Sequence, residues 1–149
     1  MKLSIALLLT IIFMNVISAA AQNRKPVVNH IAVYVYNLHE STHFYKDIIG
    51  LDTIPEPFHD GKHTWLNIGD NAALHLIEGA HSITEHDKNS HICFSVTDLK
   101  SFMGMLDKNN IEYGNWAGQK QTFTLRPDGV KQIYFKDPDG YWIEVNDAK

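Results

Sequence analysis

Residues 29–38 read NHIAVYVYNL, and residues 90–99 read SHICFSVTDL. The two stretches are offset by 61 residues, and each has a histidine in its second position and a leucine in its last. In both, large apolar side chains recur at every second position, which is typical of a strand with one face buried. A repeat of this kind predicts a fold made of two copies of one structural unit.

The two faces of these strands differ in chemistry. The aliphatic face comprises Ile31, Val33 and Val35 in the first strand and Ile92, Phe94 and Val96 in the second. His30 and His91 begin the opposite face, which is polar and aromatic. We expect a helix to cover the aliphatic face and a ligand cavity to lie against the other.

Each repeated strand is followed by signals for a helix and three more strands. Asn37 and Asp98 are candidate helix caps, and Gly50 ends the first helix. The later strands are predicted at residues 52–54, 64–68 and 72–78, and then at 112–115, 121–125 with a continuation at 131–136, and 141–146. The sequence therefore predicts an α+β fold of two βαβββ modules, whose curved mixed sheets surround a metal cavity. The expected boundaries are module one at 27–79, a linker at 80–90 and module two at 91–147.

The first 21 residues have the features of a secretory signal peptide. Lys2 precedes an uncharged apolar run from Leu3 to Ile17, and residues 19–21 are alanines that suit a signal peptidase. The run is shorter than the ~20 apolar residues that span a bilayer, although a retained anchor is the alternative. We expect cleavage after Ala21 and a single mature domain at 22–149. We expect this domain to be exported by a bacterial cell, either to the periplasm or to the outside of the cell.

Composition narrows the range of partners. Without the first 21 residues, 12 basic and 17 acidic side chains remain, and no basic stripe is present. This balance argues against nucleic acid and against anionic membrane surfaces as partners. Cys93 is the single cysteine, so an intrachain disulfide is excluded. Of the nine histidines, six lie in polar or turn-like surroundings and are expected at the solvated surface: His39, His43, His59, His63, His81 and His86.

The remaining histidines and one glutamate form a candidate metal site. His30 and His91 occupy equivalent positions in the two repeats, on the predicted cavity faces. Glu144 lies on the cavity face of the last strand, and His75 occupies the corresponding strand of module one. A buried carboxylate requires a cation or hydrogen bonds, and histidines with a carboxylate suit a transition metal. For His75, a hydrogen bond within the cavity is the alternative to a role as ligand.

Three motifs resemble the vicinal oxygen chelate superfamily. They are the two histidine strands, the segment from Phe44-Tyr45 to Gly50-Leu51, and residues 134–144, which read YFKDPDGYWIE. The superfamily includes glyoxalase I, fosfomycin-resistance thiol transferases, extradiol dioxygenases and bleomycin-binding proteins. The ligand layout is most similar to that of glyoxalase I, which has four ligands at the positions of His30, His75, His91 and Glu144.

The resemblance implies a function. A divalent ion (Ni, Zn, Co, Mn or Fe) would chelate two adjacent oxygens of a small substrate and stabilise an enediolate, with Glu144 as ligand and general base. A homodimer is also implied. The candidate substrate-binding residues are Tyr34, Trp65 and Trp142, as walls of the pocket, and Arg126, which would hold an anion. The alternative for the three aromatic residues is a role in packing, and for Arg126 it is a position at the surface beside a turn.

The leading hypothesis is therefore a lyase or isomerase of glyoxalase type. One alternative is an Fe(II) dioxygenase that uses only His30, His91 and Glu144. A non-catalytic protein that binds an antibiotic or metabolite, and a thiol transferase, are the others.

Overall fold

The computed structural model describes residues 25–149, so the predicted signal segment lies outside the described residues. Two four-stranded sheets are present, one in each half. The first sheet has the order β1-β4-β3-β2 and comprises β1 (His30–Val35), β2 (Thr53–Ile54), β3 (His63–Asn67) and β4 (Ala73–Glu78). The second sheet has the order β5-β8-β7-β6 and comprises β5 (His91–Ser95), β6 (Thr124–Leu125), β7 (Lys131–Lys136) and β8 (Trp142–Asn146).

The pairing of strands is the same in both sheets. The first strand of each module pairs in parallel with its last strand, and the other pairs are antiparallel. Each sheet is therefore mixed, and the order of elements is βαβββ twice. The prediction of an α+β fold with two such modules is confirmed.

One helix follows the first strand of each module. The helix α1 (Leu38–His43) continues as a π-helical segment, Phe44–Ile48, and α2 spans Leu99–Lys108. The Asn37 side chain accepts hydrogen bonds from the backbone N–H groups of His39 and Glu40, and the Asp98 side chain accepts one from Ser101. Both side chains thereby satisfy donors at a helix N-terminus, as the sequence predicts.

The helices pack on the aliphatic faces of the sheets. The residues that form the core are Val33, Val35, Phe44, Tyr45, Ile48, Leu66, Leu74 and Leu76 from module one, and Leu99, Leu106, Tyr113, Ile133, Phe135, Ile143 and Val145 from module two. The opposite faces of β1 and β5 are exposed, including His30 and Cys93. Both sheets thus have a polar face that is exposed at β1 and β5; in the second sheet this face is buried at Tyr134, Glu144 and Asn146.

Two buried carboxylates connect the modules. Asp139 accepts hydrogen bonds from the backbone N–H of Tyr36, at 2.6 Å, and from the hydroxyl of Ser41, at 2.6 Å. Asp137 accepts one from the hydroxyl of Tyr45 at 2.7 Å. The acceptors lie in the turn between β7 and β8, and the donors lie in and just before α1. These contacts hold the helix of module one against the turn of module two.

Some strand boundaries differ from the prediction. Of the strand expected at 112–115, the structure has only isolated bridges from Gly114 to Lys120 and Tyr134. The strand expected at 121–125 shortens to Thr124–Leu125. The segment between α2 and β7 is therefore largely irregular. Within residues 25–149, no helix has the length and apolar character needed to cross a bilayer.

Candidate metal centre

His91 and Glu144 lie together on the open face of the second sheet. They belong to the adjacent strands β5 and β8, whose register pairs Cys93 with Glu144. His91 Nε2 is 3.3 Å from Glu144 Oε2, while His91 Nδ1 is 2.7 Å from the Lys88 carbonyl oxygen. A carbonyl only accepts, so Nδ1 carries a proton, and Nε2 is the ring atom that faces the carboxylate. Histidine ligands of metals are oriented in this way.

Glu144 is only 6% exposed and is held by three hydrogen bonds. Its oxygens accept from the Tyr134 hydroxyl at 2.7 Å, the Asn146 amide at 2.9 Å and the Cys93 thiol at 3.3 Å. Burial acts to raise the pKa of Glu144, but these hydrogen bonds outweigh it and hold the pKa below its usual value. The carboxylate is therefore anionic at neutral pH.

Two of the groups that donate hydrogen bonds to Glu144, Cys93 and Tyr134, have raised pKa values. Burial, together with the adjacent carboxylate, raises the pKa of the Cys93 thiol to about 12. The same causes raise the pKa of the Tyr134 hydroxyl, which also contacts the Gln132 amide. Both groups remain protonated donors at neutral pH, so they support Glu144 and do not compete with it as anions.

His30 and His75 lie together on the open face of the first sheet. His30 Nδ1 is 2.9 Å from the side-chain oxygen of Asn29, and this contact matches the bonded Nδ1 of its repeat equivalent His91. The ring of His75 lies between two others. Its centroid is 4.3 Å from that of His30 and 4.0 Å from that of Trp65, with planes within 6° and 1° of parallel. Burial, then the nearby His30 and His63, lower the pKa of His75.

The parallel rings do not suit a shared metal ion. An imidazole lone pair lies in the plane of its ring, and the planes of two stacked rings do not meet at a common point. His30 and His75 are therefore not arranged as two ligands of one ion. The predicted set of four ligands requires one of these rings to change its plane.

The structure forms two pairs rather than a single cluster. Within residues 25–149, no group of three or more histidine, cysteine, aspartate or glutamate side chains is placed to hold an ion. We expected His30, His91 and Glu144 to share a cavity. In the single chain they do not, because β1 and β5 are outer strands of separate sheets with a groove of about 390 Å³ between them.

The predicted substrate-binding residues are dispersed. Trp65 stacks on His75, and its indole nitrogen is buried without a hydrogen-bond partner among the described residues. Trp142 lies two residues before Glu144 on β8, and its indole N–H donates to the His86 carbonyl at 2.9 Å. Arg126 pairs with Asp128 at 2.5 Å and is close enough to Cys93 to oppose the rise in its pKa.

Tyr34 lies away from both pairs. It is 52% exposed, and its hydroxyl lies against Gly79. Its carbonyl accepts a hydrogen bond from the Tyr141 hydroxyl at 3.3 Å. Tyr34 shares the face of His30, as alternation predicts. It lies near the opposite end of β1, however, where its register partner on β4 is Ile77, and it is therefore not part of the site.

Three residues near the two pairs were not predicted to lie there. His63, which was expected at the solvated surface, is half-buried at the start of β3 on the face of Trp65, and its ring centroid is 4.6 Å from that of Phe58. Tyr134 alternates on β7 with core residues and contacts Glu144 across the sheet. The alternation of β7 could have indicated Tyr134. The role of Phe58 depends on a loop that has no periodic pattern.

Two repeated modules, each with a histidine at the start of its first strand, define an α+β protein of paired βαβββ units. The family model described as "Glyoxalase/Bleomycin resistance protein/Dioxygenase superfamily" matches residues 27–145, and the chain belongs to this superfamily. The superfamily contains metal-dependent enzymes.

Individual relatives have different activities. The chain is 32% identical over 128 residues to a protein named metallothiol transferase FosB from Staphylococcus epidermidis, with 80% of each chain covered. It is 25% identical over 125 residues to a protein named glyoxylase I 4 from Arabidopsis thaliana, with 79% of this chain and 68% of that one covered. The solved structure of oxidase ChaP-H2 superimposes with a TM-score of 0.69 at 22% identity, covering 85% and 96% of the chains, and shares the fold.

The residues of the second sheet fit a divalent metal ion. His91 Nε2 and Glu144 Oε2 are 3.3 Å apart, a spacing that suits two ligands of one ion with bonds of about 2.1 Å. The first is an imidazole nitrogen and the second a carboxylate oxygen. Histidine and carboxylate together are typical ligands of iron, manganese, nickel and zinc.

Proposed function

We propose that this protein is a divalent-metal-dependent lyase or isomerase of glyoxalase type that acts on a small molecule with two adjacent oxygens. The observation that carries the proposal is that His30 and His91 have the same hydrogen-bond arrangement. Each holds Nδ1 in a hydrogen bond and presents Nε2 on an open sheet face. That arrangement suits ligands and has no evident purpose in packing.

We propose further that each metal site is shared between two copies of the chain. A dimer with two-fold symmetry can place the first sheet of one protomer opposite the second sheet of the other. His30 of one protomer would then join His91 and Glu144 of its partner. Two histidines and one carboxylate leave coordination positions open for substrate oxygens.

The residues around the site have distinct roles in this proposal. The ion supplies Lewis-acid stabilisation of negative charge on the substrate oxygens. The Lys88 carbonyl fixes the ring of His91, and Tyr134 and Asn146 orient the carboxylate of Glu144. Glu144 is also our candidate for accepting the proton from the carbon beside the substrate carbonyl.

The test combines metal analysis with proton exchange. Purified protein is incubated with Mn²⁺ or Ni²⁺, desalted and analysed for bound metal. It is then mixed with hydroxyacetone in D₂O, and deuterium incorporation is followed by NMR. We expect bound metal and exchange that is lost in Glu144→Gln.

Other outcomes would contradict the proposal. Protein that binds no added metal would favour a non-catalytic binding function. Metal-loaded protein that consumes oxygen with catechol and gives no exchange would favour a dioxygenase.

A second candidate is metal-dependent thiol transfer. It is favoured by the 32% identity to a relative named as a metallothiol transferase, over 80% of both chains. Metal-loaded protein would be incubated with fosfomycin and either glutathione or cysteine, and the products examined by mass spectrometry. A thiol adduct formed only with active protein would support transfer, whereas exchange without adduct would support the first candidate.

We propose as well that residues 1–21 direct export of the protein. The support is the basic start, the apolar run and the alanine cleavage site in the sequence. Expression of the full chain in a bacterium, followed by intact mass analysis of the periplasmic fraction, tests this. The expected product begins at Gln22; a cytoplasmic product of full length would contradict export.

A further inference from the structure

Lys88 places its ammonium group among three aromatic rings. Nζ is 4.5 Å from the ring centroid of Trp142, 5.5 Å from that of Tyr134 and 5.6 Å from that of Trp116. It donates a hydrogen bond to the Trp116 carbonyl at 3.2 Å. The side chain is half-buried, so this long flexible residue is held in one place beside the site.

Lys88 differs from its neighbours in having no anionic partner. Lys136 pairs with Glu85, and Lys120 pairs with Glu112 at 2.7 Å. Among the residues that the structure describes, no carboxylate lies within ion-pair distance of Lys88. An ammonium group has three donors, and ring faces attract the cation without accepting strong hydrogen bonds. Two donors of Lys88 therefore remain for a ligand.

The position of Lys88 links it to the metal centre. Its own carbonyl fixes His91, and Tyr134 under its ammonium group donates to Glu144. Lys88, Tyr134 and Trp142 are walls of one cleft of about 470 Å³, whose other charged side chains are Lys120, Lys136 and Glu112. Tyr134 lines this cleft and also contacts Glu144, so the cleft and the metal centre are neighbours.

We propose that Lys88 binds an anionic group, carboxylate or phosphate, on a small molecule whose adjacent oxygens lie at the metal centre. This inference rests on the proposed function for the position of those oxygens. The anionic group forms charge-assisted hydrogen bonds with the free N–H donors of Lys88. The aromatic rings hold the ammonium group in place and limit the entropy lost on binding.

Matched pairs of ligands distinguish the contribution of the anionic group to affinity from that of the chelating group. Glycerate and 3-phosphoglycerate share a 2-hydroxy acid and differ by a phosphate, and lactate and malate differ by a carboxylate. Dissociation constants are measured by NMR titration of the mature protein, both chelator-treated and loaded with Mn²⁺ or Ni²⁺, using calorimetry for the Mn²⁺ sample. In at least one pair, we expect the wild type to prefer the member with the additional anionic group by about tenfold or more.

Variants test whether Lys88 causes the preference. Lys88→Met should bind both members of a pair alike, and Lys88→Arg should keep the preference because it keeps the charge. Lys100→Met, at an exposed position on α2, is the matched control and should behave as wild type.

The results distinguish this inference from the proposed function. Equal affinities within both pairs in the wild type, or a preference that survives in Lys88→Met, would overturn the role of Lys88. A wild type that binds no added metal would contradict the proposed function. The affinities of the chelator-treated samples would still test the role of Lys88. Preference for 3-phosphoglycerate alone would assign phosphate, and preference for malate alone would assign carboxylate.

Discussion

The imidazole rings of His30 and His75 are stacked, with centroids 4.3 Å apart and planes 6° from parallel. Two ligands of one ion must both contain that ion in their ring planes, which stacked rings cannot do. We predict that His75→Ala retains bound metal at the wild-type stoichiometry, with affinity lowered about tenfold because His30 loses a neighbour that orients it. Metal content after dialysis, and titration with a competing chelator, measure both quantities.

His30→Ala provides the comparison for this prediction. It removes a proposed ligand and should abolish tight binding. If His75→Ala also lost the metal, the four-ligand arrangement expected from the sequence would be correct and the stacked rings would have to separate on binding.

A shared site predicts complementation between two inactive variants. His30→Ala and Glu144→Ala should each lose metal as homodimers. When the two are unfolded together and refolded, each mixed dimer contains one site with all its ligands and one site with two defects. We expect about a quarter of the wild-type metal capacity, because random pairing makes half of the dimers mixed. Recovery of no metal in correctly folded mixed dimers would place the ligands within one chain.

The hydroxyl of Tyr134 supports the carboxylate ligand. Tyr134→Phe removes the 2.7 Å hydrogen bond to Glu144 and leaves the ring in place. Loss of such outer-sphere support typically lowers metal affinity by about 10-fold to 100-fold, and we expect a change in that range. The control is Tyr113→Phe, another buried tyrosine, which faces Asp107 instead of the metal centre. Equal affinities in the two variants would show that the Tyr134 hydroxyl has no role in binding.

Asp137 gives the stability of the protein a dependence on pH. Burial raises its pKa to about 6, against the opposing hydrogen bonds from Tyr45 and the Tyr141 backbone. The folded protein therefore binds a proton that the unfolded chain releases between pH ~4 and ~6. This carboxyl contributes most stability below pH ~4, and the contribution is lost as the pH rises through ~6.

Asp137→Asn should remove this dependence. Urea unfolding at pH 4.5 and pH 7, at one protein concentration, measures the free energy of unfolding of both proteins. Relative to the wild type, the free energy of unfolding of the asparagine variant should rise by about 2 kcal/mol between the two pH values. A difference that stays constant between these pH values would mean that Asp137 is ionised throughout.

Much of the fold follows from local patterns in the sequence. Alternation located β1 and β5 because each has one buried face, and Asn37 and Asp98 marked the starts of both helices because capping is a short-range interaction. The segment at 112–115 was wrongly predicted as a strand. Its apolar residues Ile111 and Tyr113 pack toward the core without extended pairing, and only a partner strand could have distinguished the two cases.

The site was predictable within each sheet and not between sheets. Repeat symmetry related His30 to His91 and His75 to Glu144. The structure brings His30 to His75 and His91 to Glu144, because register and alternation fix side chains within a sheet. The distance between the pairs depends on how the two sheets pack, and no period in the sequence contains that information. Lys88 was missed because it lies in the connection before β5, where no regular pattern indicates its direction.

The carboxylates that join α1 to the turn between β7 and β8 make the two halves non-interchangeable. The repeat offset of 61 residues aligns the donors Ser41 and Tyr45 with Phe102 and Leu106, which have no hydroxyl to offer. Two copies of the second half would therefore bury Asp137 and Asp139 against hydrocarbon, at a cost of several kcal/mol for each anion. A shuffled or circularly permuted version of the chain must therefore keep Ser41 and Tyr45 beside the turn that carries Asp137 and Asp139.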